Sequence, residues 1–323
     1  MKIFHLAMQG RGHARDGLPC QDKTYAFSEG GAICVALADG AGSARYSHFG
    51  ADAVVHYVAK RVCTDFEAFY AAETPSLIRS ELLKGIETSL KTKAEELKCA
   101  TKELASTLLF AAQKDGRFLI GQLGDGCIAF LREGECRLVT KPEKGEFANM
   151  TFFTTSSNAE KHFKLFRGEL NSIEGFFLMS DGAAESLYQR NSDTLAPLVT
   201  KLIREAFCKS DAWLRCELRP LFEKGVLQRT MDDCSIAILT TIRNHRELLD
   251  SLDKSELFKM FFKRKQFRKM SIQEEYIDIL LTSEQTSDIR ILADLTGISL
   301  GTLKRRLSRL RKLGFREATK YEW

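Results

Sequence analysis

Short apolar runs in this chain repeatedly stop at an aspartate. Gly31 to Ala38 runs straight into Asp39-Gly40, 117–123 leads to Asp125-Gly126, 173–179 leads to Asp181-Gly182, and Asp232 stands just before 234–241. Apolar runs of this length bounded by turn residues read as buried strands. Carboxylates at strand ends can meet on one edge of a sheet sandwich, and a following glycine lets the backbone turn sharply and bring its carbonyl near an ion. Hard divalent cations such as magnesium and manganese take such oxygen ligands. A lone Asp-Gly is ordinarily just a turn. At this level the residues leave two alternatives open: four turns, or one metal site.

The remaining pattern favours antiparallel sheets. Lys114-Asp115-Gly116 and Glu133-Gly134 each separate two strand-like runs and read as hairpin turns. Helical spacing of apolar residues runs from Gly50 to Ala72, and a second helix starts at Pro75. Further helices are predicted over 193–208 and 211–224. Strands that come in hairpins, with helices packed outside, indicate an α+β sandwich of two antiparallel sheets rather than a doubly wound parallel sheet.

The 323 residues have room for one large domain and a small second one. No stretch approaches the roughly 20 apolar residues of a membrane span, and Met1 to His5 lacks the apolar core of a secretory signal, so a cytoplasmic protein is expected. The nine cysteines are scattered without a C-x-x-C pair, which fits a reducing compartment and points to neither zinc nor a redox motif. Charge is uneven: residues 243–323 carry a net +6 and residues 1–242 a net −1. That asymmetry suggests two functional units.

Taken in order, the motifs resemble the metal-dependent protein phosphatase 2C family, in its bacterial-type branch. The segments are Gly17-Leu18-Pro19-Cys20-Gln21-Asp22, Ala38-Asp39-Gly40-Ala41-Gly42-Ser43, Ala105-Ser106-Thr107-Leu108-Leu109, Gly121-Gln122-Leu123-Gly124-Asp125-Gly126, Gly145-Glu146-Phe147-Ala148-Asn149, Phe177-Leu178-Met179-Ser180-Asp181-Gly182 and Met231-Asp232-Asp233-Cys234-Ser235. Each is weak alone; the ordered series, over about residues 5–242, is specific.

The resemblance implies two or three Mn2+ or Mg2+ ions at one end of the sandwich. Asp39 would bridge two of them, and the Gly40 carbonyl would bind one. Asp181 and Asp232 would complete the first ion's shell, while Asp125 with Asp181 would hold a third. Asp22 would act through hydrogen bonds to metal-bound water. The implied activity is hydrolysis of phosphoserine and phosphothreonine in a phosphoprotein substrate, by hydroxide activated between two metals, opposing a protein kinase. There are departures from the family pattern. Gln21 stands where Glu is usual, Gly126-Cys127 replaces Ser-Arg, and Asp233 stands where Asn is common. These motivate an alternative, a phosphatase-fold sensor or regulatory binding protein with weak or no turnover.

Arg15 is the candidate phosphate-binding arginine, with Arg11 as competitor; guanidinium suits bidentate phosphate contact. His13, in the same loop, is a candidate phosphate donor or general acid, or else a packing histidine. Glu146 and Asn149 border the substrate mouth or a solvated loop.

Residues 243–270, with the run Lys263-Arg264-Lys265, read as a basic helical connector. From 271 to 323 a separate winged-helix-like module is expected. One helix ends at Gly297, Ser299 caps a second over Leu300 to Leu313, and Phe315 to Trp323 would form a minimal wing. Lys304, Arg305, Arg306, Arg309, Arg311 and Lys312 give the second helix the charge of a DNA-recognition helix, with Lys304, Arg305, Arg309 and Lys312 as the candidate contacts, though such modules also dock proteins. Its assigned role is to target the phosphatase to DNA or to a protein complex.

Overall fold

The computed structural model describes residues 2–141, 151–241, 253–262 and 270–321. Glu146, Asn149 and Lys263-Arg264-Lys265 lie outside the described residues. The chain divides into two compact units, Met1–Ile203 with Pro220–Thr241, and Arg204–Arg219 with Ile242–Trp323.

Among the described residues the first unit has twelve strands: β1 (Lys2–Met8), β2 (Lys23–Glu29), β3 (Ala32–Ala38), β4 (Leu108–Lys114), β5 (Arg117–Leu123), β6 (Cys127–Arg132), β7 (Glu135–Thr140), β8 (Lys164–Glu169), β9 (Ile173–Met179), β10 (Tyr188–Gln189), β11 (Thr194–Leu195) and β12 (Cys234–Thr240). Two five-stranded antiparallel sheets run in the orders β1-β12-β9-β6-β7 and β2-β3-β4-β5-β8. The expected sandwich is therefore present. Both predicted hairpins form, with φ of 46° and 79° at Asp115 and Gly116 and 52° and 80° at Glu133 and Gly134. Such left-handed pairs match the twist of the flanking strands.

Strand β3 shows why both faces of the second sheet are buried. Ile33, Val35 and Leu37 point into the core between the sheets, where Phe176 and Leu178 of β9 and Leu239 of β12 meet them. The alternate residues Ala32, Cys34, Ala36 and Ala38 face the other way. Their small side chains let two helices lie close, α2 (Ser47–Thr64) and α4 (Pro75–Leu97). The helix predicted over 50–72 breaks at Asp65, with α3 (Phe66–Ala71) as a separate turn. Short helices α1 (Arg11–Arg15), α5 (Ala159–His162) and α6 (Asp181–Leu187) follow β1, precede β8 and follow β9.

The two later helices are shorter than their sequence patterns. Helix α7 (Pro197–Cys208) begins at its proline because Thr194–Leu195 is already paired with Tyr188–Gln189. Helix α8 (Asp211–Leu221) contains Pro220, which removes a backbone donor, and the chain widens into a π-type turn at Phe222–Val226.

The second unit contains α9 (Lys254–Phe261), α10 (Met270–Ser283), α11 (Ile289–Thr296) and α12 (Leu300–Lys312). Asp288 caps α11 by accepting from the Arg290 N–H at 2.7 Å, and Gly297, with φ 66°, ends it. The Ser299 hydroxyl bonds Thr302 Oγ1 rather than a backbone N–H. Leu303, Leu307 and Leu310 of α12 are buried with Leu292, Tyr276 and Phe315. Lys209 donates to the Leu313 carbonyl at 2.7 Å, placing a cation at the C-terminal end of α12.

No wing hairpin follows Gly314 among the described residues. Phe315 and Tyr321 are buried, and the Tyr321 hydroxyl donates to the Thr286 carbonyl at 2.7 Å. The segment expected to extend as a wing is instead folded back as a 3-10 turn, Arg316–Ala318.

Candidate metal centre

Strand register decides where the acidic residues go. Lys23 lies opposite Ala38, Leu37 opposite Leu109, Leu108 opposite Leu123, Met179 opposite both Cys127 and Ile236, and Met8 opposite Cys234. The ends that carry Asp22, Asp39, Asp125, Asp181 and Asp232 therefore all fall at one end of the sandwich. Carboxylate oxygens of Asp39, Asp125 and Asp181 lie within 4.8 Å of one another, and all three residues are partly exposed. Asp232 is not in that triple, but its charge acts on both Asp39 and Asp181. Asp22 lies buried beneath, next to Asp39.

Local hydrogen bonds hold the carboxylates in place. The Asp39 N–H donates to Thr107 Oγ1 at 2.9 Å, while the Thr107 N–H returns to the Asp39 carbonyl at 2.8 Å. Gly40 pairs with Ser106 in an isolated bridge. Thr107 also packs beneath the turn carrying Asp125. At Gly124, φ is 109° and a Cβ would lie 2.6 Å from Thr107 Cγ2, so only glycine fits. Gln122 Nε2 donates to the carbonyls of Gly124 and Gly126, at 3.2 and 2.8 Å. A Cβ on Gly126 would stand 2.9 Å from the Met179 carbonyl. This explains why glycine occupies that departure from the family pattern.

Across the other sheet, the Ser180 N–H donates to the Ser235 carbonyl and the Ser235 N–H to Ser180 Oγ, both at 3.0 Å. These bonds fix the 180–182 turn against the 232–235 turn.

Such a cluster is costly when no cation balances it. Burial, then the charges of Asp22, Asp181, Asp232 and Asp125, push the Asp39 carboxyl well up. Burial raises Asp181 to about 6 and Asp22 to about 7. Both Asp22 oxygens and Gln21 Oε1 are buried without a hydrogen-bond partner of good geometry among the described residues. Buried polar groups are normally satisfied, so orphans beside a carboxylate triple mark a place built for an added group. The all-oxygen donor set suits Mg2+ or Mn2+.

A carboxyl with a raised folded pKa binds its proton more tightly when folded. Its stabilising contribution is complete below the unfolded value and is lost as pH rises through the folded one. Metal-free protein should therefore lose stability as pH climbs from about 4 to about 7, and saturating Mn2+ should reverse the trend. Thermal unfolding across that range, with chelator and with Mn2+, checks this; a flat metal-free profile would count against the cluster.

Comparison with known proteins agrees with this geometry. Residues 9–219 match the sequence family described as protein phosphatase 2C. The chain belongs to the protein phosphatase 2C family. It is 26% identical over 249 residues to serine/threonine-protein phosphatase 3 of Escherichia coli K12, spanning 73% of this chain and 97% of that protein. Solved structures share the fold. A bacterial serine phosphatase superposes with TM-score 0.55 at 15% identity, covering 74% of this chain and 97% of its own. A Staphylococcus aureus serine/threonine phosphatase gives 0.53 at 16%, covering 75% and 95%. Membership makes this phosphatase 2C chain a metal-dependent serine/threonine protein phosphatase, with manganese or magnesium as cofactor.

The loop candidates have definite surroundings. Arg15 is exposed and bonds Asp16 at 2.7 and 3.0 Å. Arg11 donates to the carbonyls of Gln228 and Thr230, tying α1 to the loop before Asp232. His13 Nδ1 lies 2.9 Å from Asp233 Oδ2. Asp233 is the participant to which sequence reasoning gave no role. Fully buried, it accepts from the N–H groups of Gly10, at 2.6 Å, and Gln21, at 2.5 Å. Its signal was there: an acid where the family commonly carries Asn. No helix among the described residues is long and apolar enough to cross a membrane.

Proposed function

We propose that this phosphatase removes phosphate from phosphoserine and phosphothreonine of cytoplasmic proteins, opposing a protein kinase, and that its C-terminal unit targets it. The observation that carries the reading is the meeting of Asp39, Asp125 and Asp181 within 4.8 Å, above a buried Asp22 with unsatisfied oxygens. Asp39, the Gly40 carbonyl, Asp181 and Asp232 would hold two ions, and Asp125 with Asp181 a third. Bound there, the ions supply a water of lowered pKa and positive charge for the phosphoryl oxygens. The chain's own residues set the geometry: Thr107 and Gln122 fix the Asp39 and Asp125 turns, and Ser180 and Ser235 fix Asp181 beside Asp232.

The cysteines beside the carboxylates do not offer a thiolate nucleophile. Burial and then the Asp233 and Asp22 charges push Cys20 far up, and burial raises Cys127 to about 12. Water is therefore the attacking group this site favours, with no phosphoenzyme on the chain.

The test is phosphate release by the full chain from phosphoserine and phosphothreonine peptides, after chelation and with Mn2+ restored. Release that saturates with Mn2+ and vanishes with chelator is the expected result. Chelator-insensitive release would overturn the reading. Tight phosphopeptide binding without turnover would favour a sensor.

A further inference from the structure

Helix α12 separates its two faces cleanly. Leu303, Leu307 and Leu310 are buried beneath it. The 13 residues carry six basic side chains and no acidic one. Arg306 is turned to Glu275, at 2.8 Å, and lies over the Tyr276 ring, while Arg311 donates to the Ala318 carbonyl at 2.8 Å. Arg305, Arg309 and Lys312 are exposed, with Lys304 partly so. Positions 305, 309 and 312 share one helix face at spacings of four and three. Gly301, in the first turn, is also exposed, and a Cβ there would meet nothing within 4 Å.

We propose that α12 is a DNA-recognition helix that seats the phosphatase on duplex DNA, with Arg305, Arg309, Lys312 and Lys304 facing phosphates and its first turn entering the major groove. This rests on, and deepens, the targeting half of the function given above. Charge and burial favour DNA over a protein partner. A protein-docking helix presents an apolar stripe, whereas the exposed large apolar residues Ile291 and Leu295 belong to α11, and α12 offers only Leu300 at its first position. The major groove of B-DNA admits a helix, whereas that of A-form RNA is too narrow.

Full-length protein is titrated by fluorescence anisotropy against a mixed-sequence DNA duplex of about two helical turns. Four phosphate contacts predict affinity falling about a hundredfold between 50 and 200 mM salt. Arg305→Ala with Arg309→Ala should weaken binding at 50 mM salt at least about tenfold and flatten the salt slope by about two. Both substitutions are at exposed positions, and p-nitrophenyl phosphate hydrolysis with Mn2+ should be unchanged in the double variant. That separate readout distinguishes failure here from failure of the phosphatase reading. Replacing the exposed Lys60 and Lys84 of the other unit with alanine should leave DNA binding intact. No DNA binding by active protein at 50 mM salt would overturn the proposal. So would equal binding to duplex RNA, or an affinity indifferent to the Arg305 and Arg309 changes.

Discussion

Asp39→Ala should reduce phosphopeptide turnover by about a thousandfold or more, the scale expected when the charge stabilisation of a metal-assisted displacement is dismantled. The same substitution should make the metal-free protein more stable. Asp39 faces Asp22, Asp181, Asp232 and Asp125 in a desolvated cluster, so above the pH at which Asp39 loses its proton, deleting that charge relieves the other four. A gain in unfolding temperature of about 2–6 °C in chelator is expected for a unit of this size. Manganese should then add little further stabilisation. If manganese stabilises Asp39→Ala as it does the wild type, Asp39 is not a ligand.

Asp233→Ala should be the most damaging change outside the acidic triple. It strands the buried N–H groups of Gly10 and Gln21, and each lost partner costs about 1–3 kcal/mol. The segment from residue 10 to 21 would keep the Gly12 and Arg11 bonds to residues 228–231 but lose its anchor on the Asp233 carboxylate. Crowding makes that anchor matter, because a Cβ on Gly10 would already lie 2.2 Å from the Asp232 carbonyl. Catalytic efficiency should fall along with stability. Asp233→Asn keeps an oxygen for one of the two N–H groups and turns an NH2 toward the other, so it should recover only part of both. Denaturant unfolding and turnover on the two variants decide the matter; equal behaviour of Ala and Asn would remove Asp233 from this role.

The legible parts of the fold were those whose signal is local. Strand β3 is seven consecutive buried residues ending at Asp39, and the Asp115-Gly116 and Glu133-Gly134 turns adopt left-handed pairs that their residue types favour. Strands β1, β2 and β8, and the two-residue β10 and β11, carry no such local signal. The Lys23–Glu29 strand buries none of its residues fully, so its sequence lacks a clean alternation. At the site, four strand-end aspartates announced themselves through the glycines and apolar runs beside them. The work of Asp233 did not, because its partners Gly10, His13 and Gln21 lie more than 200 positions away and become neighbours only through the β1–β12 pairing. The wing misread had a similar cause: Phe315 and Tyr321 look like strand residues but fill the core of the second unit.

The pairing of β1 with β12 also sets a timetable. β1 is an edge strand whose sheet neighbour is β12, and that neighbour begins at Cys234. During synthesis at about 5–20 residues per second, β1 waits on the order of tens of seconds for its partner. Asp232 and Asp233 emerge with the same strand. An unfinished chain thus holds neither a closed first sheet nor a complete acidic cluster, and both arrive together. A product that stops before β12 would leave that edge of β1 unpaired, and is expected not to dephosphorylate.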